Sequence, residues 1–258
     1  MKIKSYKSNQ INSLREASKI TATVLDELNN FIEIGISTYD IDNFCLDRLK
    51  TLGGTPAPLF YRGFPKSTCT SINHVICHGI PNENRILKSG DILNVDVTTI
   101  IDSWHGDSSR MYKIGAPPVK ANNLCEVTHR CLIESIREIK IGEPLSKIGK
   151  KIQDIAESNG FSVVRDFCGH GVGLNFHENP SILHYYDSEY DKIKFIDGMI
   201  FTVEPMINAG RFYSKVLNDG WTAVTKDKTL SAQYEHTIYI DGDNIEILTN
   251  SPKGVFYS

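Results

Sequence analysis

Two stretches of this chain end an apolar run on an acid. Gly90-Asp91-Ile92-Leu93-Asn94-Val95-Asp96 and Gly198-Met199-Ile200-Phe201-Thr202-Val203-Glu204 each pass from a turn glycine through a strand-like segment to a carboxylate. A carboxylate is costly to bury unless it is paired or bound to a metal. Asp102-Ser103 reads as a turn, so Asp107 should return almost beside Asp96, within diagonal cross-strand reach. Glu235 is expected inside a strand over Ser231 to Ile240, facing the same way as Gln233 and Thr237. Glu204 precedes Pro205, which biases it to an extended conformation. Four like charges in one pocket raise each other's pKa or push apart, and two divalent cations would cancel them. The competing reading is four unrelated strand acids, exposed or ion-paired. It serves any one of them better than it serves the set.

The histidines add nitrogen donors. His78 lies in Cys77-His78-Gly79-Ile80, His170 in Gly169-His170-Gly171-Val172-Gly173, and His177 in Phe176-His177-Glu178. The first two look like a matched pair, and glycines beside His170 allow close approach of backbone or ligand. A phosphate-binding loop over Gly169 to Gly173 is the alternative, but no G-x-x-x-x-G-K-[ST] or G-x-G-x-x-G is present. Carboxylates with one imidazole suit Mn, Fe, Co or Zn, without choosing among them. His74, His105, His129, His184 and His236 read as surface or core residues.

The elements that must position these groups come in two similar sets. Apolar residues Ile11, Leu14, Ala17, Val24, Leu28 and Phe31 recur at helical spacing over about 9–32, with Gly35 as terminator. Ser37 and Asp40 resemble a capping box opening a second helix, with Ile41, Phe44, Cys45 and Leu49 inward and Gly53-Gly54 as its stop. After Pro117-Pro118 a helix is expected over about 120–139, with Leu124, Val127, Cys131 and Ile139 inward and Gly142 ending it. A fourth carries Ile148, Ile152 and Ile155 and stops at Asn159-Gly160. Gly35 and Gly142, like Gly53 and Gly160, are 107 residues apart, while Gly90 and Gly198, like Asp96 and Glu204, are 108 apart. So long a period suggests duplicated halves, about 9–115 and 116–250, and not a solenoid. Trp221 to Thr225 and Ser231 to Ile240 are read as a hairpin joined by Lys226-Asp227-Lys228. Helices alternating with antiparallel strands indicate an α+β fold with pseudo-twofold halves.

With 258 residues, 40% hydrophobic and 23% charged, the chain has an ordinary globular composition, enough for one large core or two small domains. A formal charge of −3 excludes a global basic field for nucleic acid. Lys147, Lys150 and Lys151 read as a solvated helix face. The start, Met1-Lys2-Ile3-Lys4-Ser5-Tyr6, lacks the apolar run of a secretion signal. No stretch approaches the roughly 18 apolar residues of a membrane span. Six scattered cysteines without a C-x-x-C pair read as reduced thiols in a cytoplasmic protein.

Asp96, Asp107, His170, Glu204 and Glu235 follow the order D…D…H…E…E. With Tyr61-Arg62-Gly63-Phe64-Pro65-Lys66-Ser67, Cys69 to Asn73, Val75 to Pro81 and Gly169 to Gly173, the chain resembles the pita-bread metallopeptidases, in particular the type I methionine aminopeptidases. The resemblance implies one catalytic domain over residues 1–258, two pseudo-symmetric halves and a curved antiparallel sheet backed by helices. It implies two divalent metal ions (Co, Mn, Fe or Zn). Asp96 would be a bidentate ligand of one, Asp107 and Glu235 bridges, and His170 and Glu204 ligands of the other. A bridging water of lowered pKa would attack the first carbonyl. Glu204 would shuttle its proton, while His78 and His177 bind substrate and steady the oxyanion. The methionine pocket maps onto Pro58, Tyr61, Phe64, Cys69, Phe176 and Trp221, with Pro58 where cysteine is common and Phe64 where tyrosine is common.

The implied activity is removal of initiator methionine from nascent chains with a small second residue, by a cytoplasmic monomer. Any ribosome contact would have to use the catalytic domain. Two rivals are an X-Pro peptidase of the same fold, which usually carries an extra N-terminal domain, and a metal-free binding module, which would lack one or more of the five ligands.

Overall fold

The computed structural model describes residues 3–254. Met1 and Lys2, read above as part of the N-terminal stretch, and residues 255–258 lie outside the described residues. Helix α1 (Asn12–Phe31) buries Leu14, Ala17, Val24 and Leu28 completely, as its spacing predicts. It ends four residues before Gly35. That glycine instead supplies the positive φ of the following turn, and Gly142 does the same after α3. Helix α2 (Thr38–Thr51) opens on the expected capping box: the Ser37 hydroxyl accepts from the Asp40 N–H, and Asp40 accepts from the Ser37 N–H. Helices α3 (Val119–Ile136) and α4 (Ser146–Ser158) repeat the arrangement in the second half. Lys147, Lys150 and Lys151 pair with Glu143, Asp154 and Glu138, so they form a solvated, ion-paired face.

The first half contains β1 (Thr55–Pro56), β2 (Cys69–Ile72), β3 (Val75–Cys77), β4 (Ile92–Ile101) and β5 (Trp104–Lys113). Strands β4 and β5 form a long antiparallel ribbon that turns at Asp102 and Ser103. Both turn residues have positive φ, the twist-matched geometry of two-residue hairpins. Helix α1 lies directly on this ribbon. A Cβ added at Gly106 would meet the Ser18 backbone N at 2.4 Å. The Thr21 hydroxyl donates to the Gly106 carbonyl at 2.8 Å.

The second half contains β6 (Ser162–Val163), β7 (Gly169–Gly171), β8 (Glu178–Ile182), β9 (Ile200–Val203), β10 (Met206–Asn208), β11 (Ser214–Val216), β12 (Ala223–Thr225), β13 (Ser231–Gln233), β14 (His236–Asp241) and β15 (Asn244–Ile247). Every described strand pairing is antiparallel. The largest sheet has the order β15-β14-β9-β7-β8. Two expectations change. Strands β12 and β13 do not form a hairpin: the chain turns between them, but β12 pairs with β11 and β3, and β13 with β10. The expected continuous strand through Glu235 is broken at Tyr234-Glu235, and β9 stops at Val203, before Glu204-Pro205. Pro205 has no N–H to continue a ladder.

These interruptions stitch the halves together. The Glu235 N–H donates to the Ser109 carbonyl (3.0 Å) and the Ser108 hydroxyl to the Glu235 carbonyl (2.6 Å). The Asp107 N–H donates to the Thr237 hydroxyl (3.2 Å), which donates back to the Asp107 carbonyl (2.7 Å). Glu235 leaves its own sheet because its backbone pairs with β5 of the other half.

Candidate metal centre

Asp96 and Asp107 sit on the β4–β5 ribbon, where Asp96 is opposite Ser109 and Asp107 opposite Thr98. The two acids are therefore diagonal neighbours, as the turn position predicts. Asp42 on α2 accepts from the N–H groups of Ser67 (2.8 Å) and Thr68 (3.0 Å). The Thr68 hydroxyl then donates to the Asp96 carbonyl. The Thr98 hydroxyl donates to Asp107 Oδ1 at 2.7 Å.

His170 is central in β7, and its flanking glycines serve the sheet, not a ligand. A Cβ at Gly169 would meet the Thr202 carbonyl oxygen at 2.4 Å, and one at Gly171 the Asn179 carbonyl oxygen at 2.3 Å. Gly169→Ala is expected to push β7 from β9 and to destabilise the protein by about 1–3 kcal/mol, the usual cost of overpacking. A lowered urea midpoint at unchanged m value is the readout; an unchanged midpoint would show that the strand gap is slack.

Asp96, Asp107, His170, Glu204 and Glu235 all line one cavity of about 570 Å³. One ligand atom from each of Asp107, His170 and Glu235 lies within 4.8 Å of the others. His170 Nε2 is 3.7 Å from Asp107 Oδ2 and 3.6 Å from Glu204 Oε1. The His170 Nδ1 faces the Gly171 carbonyl at 3.0 Å, which fixes the ring and leaves Nε2 turned to the acids.

Burial raises all four carboxyl pKa values. Asp107 is pushed up to about 7, chiefly by burial. Asp96 stands well above the ordinary range through burial and then Asp107. Glu204 and Glu235 do so through burial and the neighbouring acids. His170 is lowered to about 4, again chiefly by burial. Among the described residues no lysine or arginine pulls the four acids back down. Arg110, for example, is spent on Asp26. Three buried carboxylates, a partly buried fourth at Asp96 and one neutral imidazole in one cavity are the donor set that divalent metals fit.

The rest of the cavity wall is mixed, with Arg62, Asp166, Glu178, Asn179, Ser181 and Gln233 beside an apolar and aromatic side. Pro58, Tyr61, Phe64, Cys69, Phe176 and Trp221 all line it, together with His78 and His177. Phe64 packs edge-on to Trp221 at 5.2 Å, and Tyr61 against Phe176 at 4.9 Å. The Tyr61 hydroxyl is 3.0 Å from His177 Nδ1. His78 adopts φ +56°, a strained conformation for a non-glycine residue, in contact with Phe167 and Trp221. Trp221 reaches the cavity although the hairpin expected to carry it does not form.

A model of metallopeptidase family M24 matches residues 12–242. The chain belongs to metallopeptidase family M24. The methionine aminopeptidase of Rickettsia prowazekii is 46% identical over 259 residues, covering 100% of this chain and 99% of that one. The methionine aminopeptidase of Escherichia coli K12 is 46% identical over 240 residues, covering 93% and 90%. The crystal structure of the Rickettsia prowazekii enzyme superposes with a TM-score of 0.93 at 45% identity, covering 96% of this chain and 100% of that one. Prolidase from Pyrococcus furiosus, at 19% identity and a TM-score of 0.74, covers 95% of this chain and 65% of that one, and shares the fold alone. This M24 chain thus has the pita-bread fold and is a metal-dependent peptidase.

Some contributors were not legible from residue type. Gln233 donates to Glu204 Oε2 (3.2 Å), and His184 Nε2 accepts from the Glu204 N–H (3.2 Å). His105 faces the Gly173 carbonyl (3.0 Å) and stacks on Phe176. Two histidines read as ordinary core or surface therefore brace the site. Position in the strand could have flagged Gln233, which shares a face with Glu235; nothing in the sequence singles out His184.

Proposed function

We propose that this M24 peptidase removes the initiator methionine from nascent polypeptides and favours those with a small second residue. The observation that carries the reading is an apolar and aromatic side of one cavity meeting a cluster of acids. A flexible thioether suits Phe64, Cys69, Phe176 and Trp221, which line the same cavity as the acids. The relatives named methionine aminopeptidase, matching nearly the whole chain, support it.

Asp96, Asp107 and Glu235 would hold one metal ion, and Asp107, Glu235, His170 and Glu204 a second, each being Mn, Fe, Co or Zn. When bound, such a pair supplies Lewis acidity and a water that ionises near neutral pH. The remaining work falls to side chains. Glu204 would accept the proton of the attacking water and return it to the leaving amine, the usual task of a placed carboxylate. If the Tyr61 hydroxyl donates to His177 Nδ1, the His177 proton sits on Nε2, which then donates to the carbonyl oxygen as charge builds there. His78, held between Phe167 and Trp221, would face the same oxygen or the following amide.

In this reading the chain is one catalytic unit of two related halves, about 9–115 and 116–250. Positive φ at Gly35 and Gly142, at Gly53 and Gly160, and at Gly90 and Gly198 supports that duplication. We take the protein to work as a monomer in the cytoplasm on chains leaving the ribosome. All six cysteines are free, and among the described residues no helix is long and apolar enough to cross a membrane.

The test is direct. Protein stripped with a chelator is resupplied with Mn, Co, Fe or Zn and offered Met-Ala-Ser, Met-Lys-Ser and Ala-Pro-Ser. Release of methionine from the first alone, and only with metal, is expected. Cleavage of the proline peptide would point to an X-Pro peptidase, and no metal-dependent cleavage to a binding module.

A further inference from the structure

We propose that Thr202 is a positioning residue that holds His170 and Glu204 in register through a single hydroxyl. The proposal rests on reading those two residues as metal ligands. Thr202 lies inside β9, opposite Thr237 of β14, and is completely buried. Its Oγ1 is 3.0 Å from the His170 N–H and 2.7 Å from Glu204 Oε1. A backbone N–H can only donate, so the hydroxyl oxygen accepts there. The hydroxyl's one proton is then committed to the Glu204 carboxylate.

The consequence is geometric. Oε1, the oxygen held by Thr202, is the one 3.6 Å from His170 Nε2. One side chain therefore sets both the height of the His170 backbone and the rotation of the Glu204 carboxylate, so that imidazole and oxygen face the same gap. The other supports each touch a single partner: Gly171 fixes the His170 ring, while Gln233 and His184 hold Glu204. Thr202 does not line the cavity and so cannot meet substrate. Whatever it contributes passes through the two ligands. Partners of this kind typically change metal affinity 10- to 100-fold when removed.

Thr202→Val keeps the shape of the side chain but leaves the His170 N–H without its acceptor and Glu204 without its donor. Thr202→Ser keeps the hydroxyl. Chelator-stripped wild type, both variants and His170→Ala are titrated with Mn(II) by calorimetry, with circular dichroism to verify folding. We expect Thr202→Val to bind Mn(II) roughly 10- to 100-fold more weakly, and Thr202→Ser to stay close to wild type. If Thr202→Val does not fold, Thr202→Ala, which also lacks the hydroxyl, replaces it with the same expectation. Unchanged affinity in the hydroxyl-free variant beside weakened binding in His170→Ala overturns the role of Thr202 alone. Equal losses in the serine and hydroxyl-free variants overturn it too, since packing would then be the cause. Unchanged affinity in His170→Ala as well overturns the ligand assignment itself.

Discussion

Glu235→Gln is expected to lower kcat/KM for Met-Ala-Ser by on the order of a thousandfold or more, about 4 kcal/mol of transition-state stabilisation. The same substitution should raise the melting temperature of the metal-free protein. The two effects have one origin. Glu235 is almost fully buried beside Asp107, and its carboxyl pKa is driven up by burial and then by Asp107, Glu204 and Asp96. That charge opposes folding unless a cation shares it. Glutamine keeps the shape, removes the charge and offers an amide donor to the neighbouring carboxylates, so the empty protein gains. It cannot bridge two cations as a carboxylate can, so the loaded protein loses its chemistry. Steady-state kinetics and calorimetry of the stripped proteins test both arms. A metal-free variant melting below wild type would mean that the acid cluster is not under electrostatic strain.

Metal-free protein should lose stability as pH rises from about 6.5 to 8, and the metal-loaded protein should not. Asp107 is raised to about 7, and Asp96, Glu204 and Glu235 well above their ordinary values. In this window unfolded carboxyls are already ionised while folded ones still hold protons. The folded state binds more protons, so stability falls with pH, by about 1.4 kcal/mol per pH unit for each proton retained. Below that window the buried histidines act in the opposite sense. His170 is lowered to about 4, and His184 and His236 to about 3, each chiefly by burial. Their unfolded counterparts take up protons below about 6.5, which offsets the protons that the folded carboxyls retain there. The decline of the stripped protein is thus clearest above about pH 6.5, where unfolded histidines no longer offset it. Bound metal needs the carboxylates ionised, which removes the decline on the alkaline side and makes metal binding release protons. Melting curves with chelator and with Mn(II), taken across pH 6.5 to 8, decide it: a flat or rising profile without metal would contradict the raised carboxyl values.

The rival phosphate-loop reading of Gly169 to Gly173 fails for a packing reason. Gly169 and Gly171 are occupied in admitting the Thr202 and Asn179 carbonyls, and the loop they would form is a strand in the middle of a sheet.

What could be read from the chain itself was whatever depends on neighbours in sequence. Helix faces follow from the spacing of Leu14, Ala17, Val24 and Leu28, and the α2 start from the reach of Ser37 and Asp40 across one turn. The return of Asp107 beside Asp96 follows from a two-residue turn, because a hairpin's register is set by its turn. The cost of burying a carboxylate made Asp96, Asp107, Glu204 and Glu235 conspicuous before any coordinates. Only the tertiary structure decided how Glu204 and Glu235 are presented. Both sit in strand breaks, Glu204 before Pro205 and Glu235 where its backbone pairs with Ser108 and Ser109 of the other half. It also decided that Thr202, His184 and Gln233 brace the ligands. Threonine, histidine and glutamine are common in any core, and their hydrogen bonds have no signature in sequence until distant strands bring the partners within 3.2 Å.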